Sequence, residues 1–127
     1  MNDYKTEANV ATIAGLEPGM KKVNITFKVI STSEERSVDS KRSEGVHRVV
    51  DAVVGDSTAT VLMFIWDETI DSIQEGETYI LSNGYTGLFK GSLRLHMGKF
   101  GSIASAKESI VEVNTQLDMS TKEFNNW

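Results

Sequence analysis

Residues 46–66 read VHRVVDAVV, GDSTAT, VLMFIW: two runs rich in Val and other apolar residues around a glycine–aspartate turn signal. The pattern reads as a β-hairpin with a tight turn at Gly55-Asp56. Its second run is apolar on both faces. Val61, Met63 and Ile65 point one way, and Leu62, Phe64 and Trp66 point the other. One set can fill a core. The other is either covered by further chain or left exposed as a row that includes two rings, and for Phe64 both fates stay open.

The flanking segments extend the same architecture. Val23, Ile25, Phe27 and Val29 alternate with Asn24, Thr26 and Lys28, the period of a half-buried strand, with Pro18 in GLEPGM supplying a turn before it. STSEERSVDSKRSEG is polar and mixed in charge, so it reads as a long loop or the flared end of a hairpin. DETIDSIQEG predicts a helix of about two turns, with Asp67 able to cap it, Ile70 and Ile73 three apart, and Gly76 able to end it. TYILSNGY and SLRLHM give two more strands joined by TGLFKG, and Leu93, Leu95 and Met97 in the last face the core. Phe27, Tyr79 and Phe100 read as packing residues. Strands at this spacing, with a short helix between the third and fourth, predict an all-β fold. Specifically, they predict a five-stranded Greek-key OB-fold barrel. After Ile103 the chain turns polar, and IVEV at 110–113 offers a short extra strand or a loosely held tail. The expected division is an N-terminal segment over 1–15, the barrel over 16–105 and a C-terminal extension over 106–127.

Composition excludes several function classes. A chain of 127 residues, 39% hydrophobic and 24% charged, fits one globular domain. It has no cysteine, hence no disulfide framework and no thiolate metal site. No apolar run approaches the ~18 residues of a membrane span, and the N-terminus lacks a secretory pattern. A cytoplasmic protein without a membrane partner is expected. His47 and His96 lie on different strands without ligand spacing, and no nucleophile or phosphate-cradle motif is present. The expectation is a binding protein, not an enzyme, with no cofactor.

Net charge is −5, which at face value argues against nucleic acid. The charge is uneven, however. Thr78 to Ile103 carries Lys90, Arg94 and Lys99 and not one carboxylate; Lys41, Arg42 and Arg48 form a second, weaker basic spot. The acid-free stretch also holds Tyr85, Phe89 and His96 among glycines. Rings stack on bases whatever their sequence, and cations neutralise phosphates. Candidate nucleic-acid-binding residues are therefore Trp66, Tyr85, Phe89 and Phe64 for stacking, with Lys90, Arg94, His96 and Lys99 beside them. Each has a bland alternative in core packing or simple solvation.

The runs EPGMKKVNITFKVI, AVVGDSTATVLMFIWDE and GYTGLFKGSLRLHMG, in this order, resemble the simple archaeal single-stranded-DNA-binding proteins and their human relatives with one OB-fold. The resemblance covers residues 16–103. It implies base stacking on Trp66, Tyr85 and Phe89, with Lys90 beside them. Two positions depart from the family pattern: His96 stands where relatives often carry tyrosine or a polar residue, and Ala59 where they usually carry glycine. The implied function is binding of single-stranded DNA with little sequence preference, in replication, recombination or repair. Repair or replication proteins are possible partners, and a monomer is expected. The groove would lie on the second and third strands, closed by loops near 31–45 and 83–91. Single-stranded RNA is chemically close. A protein-interaction module using Phe64, Trp66, Tyr85 and Phe89 as a hot spot is the alternative of a different class.

Overall fold

The alternation of residues 23–30 becomes strand β2 (Val23–Thr32), whose Val23, Ile25, Phe27 and Val29 are all buried. The computed structural model describes residues 9–39 and 45–121. Around β2 stand β1 (Asn9–Val10), β3 (Arg36–Asp39), β4 (Val46–Gly55), β5 (Thr60–Trp66), β6 (Thr78–Phe89), β7 (Ser92–His96) and β8 (Ser102–Ser105). The sheet order is β1-β2-β4-β5-β7-β6-β8, and a further β2–β6 pairing closes five strands into a ring. This is the expected all-β OB-fold barrel. Strand β2 serves two neighbours: residues 23–28 pair with β6 and residues 28–32 with β4, with a register shift in each ladder. Such irregularities bend a strand sharply enough to join both sides of a small barrel. Strands β5 and β7 run parallel, so β7 cannot follow β5 directly and β6 must intervene.

The interior holds one side chain in two from each strand. Phe27, Ile25, Met63, Ile65, Leu81, Leu93 and Leu95 are among its fully buried members. Removing such side chains from water stabilises the fold by ~1.5–3 kcal/mol each. Phe27 and Tyr79 pack as expected, with ring centroids 6.2 Å apart. The core also recruits residues outside the five strands. Ile13 and Leu16 enter from a 3-10 turn at Ile13–Gly15, and Met119 from another at Met119–Thr121.

Several local expectations need correction. The helix is a single turn, α1 (Glu68–Asp71), not two. The backbone exchanges Gly76 N–H to Val29 O (2.7 Å) and Val29 N–H to Glu77 O (3.0 Å), which pulls the chain to β2 before a second turn can form. Asp67 does not cap α1 with its side chain. The Gly-Asp turn spans four residues, Asp56–Ala59, between the paired Gly55 and Thr60. Asp56 Oδ1 accepts from the Thr58 and Ala59 amides, and Oδ2 from the Ile13 amide at 3.0 Å, so this turn residue also anchors the N-terminal segment. The polar stretch after β2 takes the flared-hairpin form, with β3 pairing antiparallel to β4. Residues 110–113 form no strand, and the extra strand is β8 instead. Nor is that segment loosely held. Ile110 N–H donates to Thr78 Oγ1, Asn114 N–H to Asp56 O, and Thr60 N–H to Leu117 O. Ser120 Oγ accepts from Leu62 N–H and donates to Leu93 O. The amides of Thr60 and Leu62 at the start of β5 thus find their acceptors in this segment. The basic residues Lys41 and Arg42, and the ending Lys122–Trp127, lie outside the described residues.

Candidate nucleic-acid interface

Register decides which side chains share the outer face of the barrel. Phe64 on β5 is the partner of His96 on β7, and His96 is the partner of Tyr85 on β6; Leu62, Arg94 and Gly87 form the next such row. Paired residues point to the same side of a sheet. The outward parity of Leu62, Phe64 and Trp66 therefore places them beside Tyr85, Phe89, Arg94 and His96. Trp66 and Tyr85 are each 42% exposed and Phe89 47%, high values for aromatic rings. Phe64 is half-buried beneath its neighbours.

The expected loop before β7 is no loop. β6 continues to Phe89, and a two-residue turn follows in which Lys90 (φ 55°) and Gly91 (φ 81°) both take left-handed conformations. Two positive φ values mark the mirror-image turn that matches strand twist. The hairpin projects Phe89 over the platform. Its ring meets Phe64 edge-on at 5.6 Å and 88°. The Arg94 guanidinium lies 5.7 Å from the Phe64 ring and 5.6 Å from Phe89, and Lys90 Nζ is 5.4 Å from Phe89. Arg94 Nη1 donates to Leu93 O at 3.2 Å and to Ser92 Oγ, while its buried Nε has no partner among the described residues. This cation is thus held between two rings with donor capacity left over.

His96 lies flat on Tyr85, at 4.7 Å and 16°, and also meets Phe64 at 5.7 Å. Burial first, and then the charge of Arg94, push its pKa below the ordinary histidine value, so the ring stays neutral. Phe64, Trp66, Tyr85 and His96 line a cavity of about 240 Å³ together with Thr69 and Met97. Gly87, between Tyr85 and Phe89 on β6, leaves a gap where a side chain would approach the His96 ring. The rings therefore gather on β5, β7 and β6, whereas the expected groove centred on β4 and β5.

Three residues stand apart from their expected places. Phe100 does not pack; it is 80% exposed. Lys99 lies beside it, with Nζ 5.8 Å from the Phe100 ring, apart from the main cluster. Arg48 is occupied by acids, with Asp71 at 2.8 Å and Glu35 at 3.5 Å. Asp67 Oδ1 accepts the Arg48 amide at 3.0 Å and Oδ2 meets His47 Nδ1 at 2.9 Å. The Arg48 amide first, and then His47, hold the Asp67 carboxyl below its usual range. The weaker basic spot is neutralised at that point. Among the described residues no group of three or more His, Asp or Glu side chains could hold a metal ion.

The chain matches the family model for Ssb-like single-stranded-DNA-binding proteins with an OB fold, over residues 16–105. It belongs to that family. The single-stranded DNA binding protein Ssb of Saccharolobus solfataricus is 34% identical over 109 residues, covering 86% of this chain and 72% of the relative. Among solved structures, a hypothetical protein from Arabidopsis thaliana superposes with a TM-score of 0.77 at 24% identity, covering 100% of this chain and 93% of the other. A subunit of a replication protein A heterotrimer bound to single-stranded DNA gives a TM-score of 0.66 at 18% identity, covering 83% of this chain and 27% of that one. These structural likenesses carry the fold alone. Membership of the Ssb-like family rests on the sequence match, and the exposed platform occupies the matched region.

Proposed function

We propose that the protein binds single-stranded DNA with little sequence preference across the outer face of β5, β7 and β6. Trp66, Phe89 and Tyr85 stack on bases, Phe64 and His96 support those rings, and Arg94 and Lys90 meet phosphates. The observation that carries this reading is one face that gathers the exposed rings of Trp66, Tyr85 and Phe89 with Arg94 and Lys90, its β6 and β7 part free of acid from Thr78 to Ile103. Apolar ring faces exposed together need an occupant, and bases offer faces of matching size without demanding a particular sequence. The family match supports single strands as that occupant. Because acid dominates the rest of the chain, binding is salt-sensitive and depends on stacking more than on steering. Protection of exposed single strands in replication, recombination or repair follows from this reading. The test is equilibrium titration of oligo-dT, with oligo-U in parallel, against the wild type and Trp66→Ala. The variant is expected to lose ~1–3 kcal/mol while remaining folded. Equal affinity of the two proteins would remove Trp66 from the interface.

A further inference from the structure

A second cavity of about 360 Å³ lies on the other side of Tyr85, lined by residues 19–22, 83–86 and 98–100. No acid is among its described lining residues, whereas Lys22 and Lys99 are. Tyr85 and Gly98 border both cavities, but His96 borders only the smaller one. The distinction has a geometric consequence. His96 already covers one face of the Tyr85 ring, so a base that stacks on Tyr85 must take the opposite face, away from His96. Gly98 holds φ at +79°, and a Cβ there would stand 3.0 Å from Tyr85 Cε1, so the ring can occupy the partition only over glycine. At the far rim Phe100 presents its ring to solvent, and Asn83 Nδ2 donates to Phe100 O at 3.3 Å, tying the rim to β6. Lys22 and Asn83 both hold left-handed φ, 56° and 59°. Such conformations cost energy in residues other than glycine and gather where a site needs a fixed backbone.

We propose that this cavity is an extension of the single-strand path: the nucleotide beyond Tyr85 enters it, its base resting between Tyr85 and Phe100 and its phosphate meeting Lys22 and Lys99. The proposal rests on the single-strand reading of the ring platform and deepens it. The paired ring and cation at Lys99-Phe100 repeat the chemistry of Phe89-Lys90 at the other end of the platform. A strand crossing both would touch a longer site than the platform alone provides.

The test compares fluorescein-labelled dT oligomers, from about 4 to about 16 nucleotides, by anisotropy against wild type, Phe100→Ala, Lys22→Asn and Trp66→Ala. Asparagine removes the charge of Lys22 while tolerating its left-handed backbone. Wild type is expected to gain affinity in a step once the oligomer is long enough to reach past Tyr85. Phe100→Ala should erase that step, a loss of about tenfold or more on long oligomers, with the shortest unaffected. Lys22→Asn should lower the salt slope by ~0.7 on long oligomers only. Long-oligomer binding unchanged in both variants, with Trp66→Ala still impaired, would overturn the extension and leave the platform standing. Absence of wild-type binding at every length would overturn both.

Discussion

Replacing Phe89 by alanine separates the two jobs of the hairpin tip. In the free protein the ring makes one edge-on contact with Phe64 and lies under two cations, Arg94 and Lys90. The aromatic pair is worth ~0.5–1.5 kcal/mol, and each exposed cation–π contact ~0.5–1. A ring that is 47% exposed recovers only part of this on folding, so the expected stability loss is about 1–2 kcal/mol. In the complex the variant loses a stacking platform worth ~1–3 kcal/mol, or about 5- to 150-fold in affinity. Urea unfolding gives the first quantity, and titration of oligo-dT by anisotropy gives the second. Phe89→Leu keeps the apolar bulk without the flat π-face. It should recover part of the stability and little of the affinity. The salt dependence adds a further criterion: Phe89→Ala should leave the slope of log affinity against log salt unchanged, whereas Lys90→Gln should reduce it by ~0.7. A folded Phe89→Ala protein that binds within about twofold of wild type would refute the reasoning, since the exposed ring face would then carry no base.

Two further predictions follow from groups whose partners are fixed. His96 is held neutral in the fold, below its ordinary value of 6.5, so the unfolded chain binds more protons than the folded one as pH falls below that value. Stability should therefore be fully present above pH 6.5 and decline as pH falls through the folded pKa. Bound phosphate favours the protonated ring, so affinity for DNA should rise over the same interval. Urea midpoints and oligo-dT affinities from about pH 7.5 to about pH 5.5 check both, and His96→Gln should abolish both trends. Asp56→Ala removes the acceptor of three backbone amides, at Ile13, Thr58 and Ala59, and should destabilise the barrel by at least ~2 kcal/mol in urea unfolding, with affinity of the folded fraction unchanged.

The ring platform was legible because strand parity is strict. Once Val61, Met63 and Ile65 are assigned inward, Leu62, Phe64 and Trp66 must face out, and the β5–β7–β6 register places them beside Arg94, His96 and Tyr85. The extent of β6 was not legible. Its TGLF segment reads with Lys90-Gly91 as a connecting loop, yet the strand runs on to Phe89 and Gly87 simply leaves a gap on its outer face. The helix misled for a different reason. An Ile70–Ile73 spacing of three fits a helix and a turn equally, and the exchange with Val29 that favours the turn is long-range. Phe100 follows a turn at Gly98, where alternation no longer reports direction. The segment over 106–121 is fixed largely by hydrogen bonds to Thr78, Asp56, Thr60 and Leu62, and such anchors leave no hydrophobic period in the sequence.

The most direct test of the central claim is the emission of Trp66 itself. In a Trp127→Phe background Trp66 is the sole tryptophan, because the chain has two. Titration with oligo-dT at low salt should give saturable quenching of that emission, as bases stack on the exposed indole, and added salt should reverse it. Unchanged emission at saturating oligo-dT, from a protein that remains folded, would contradict the assignment of this face to single-stranded DNA.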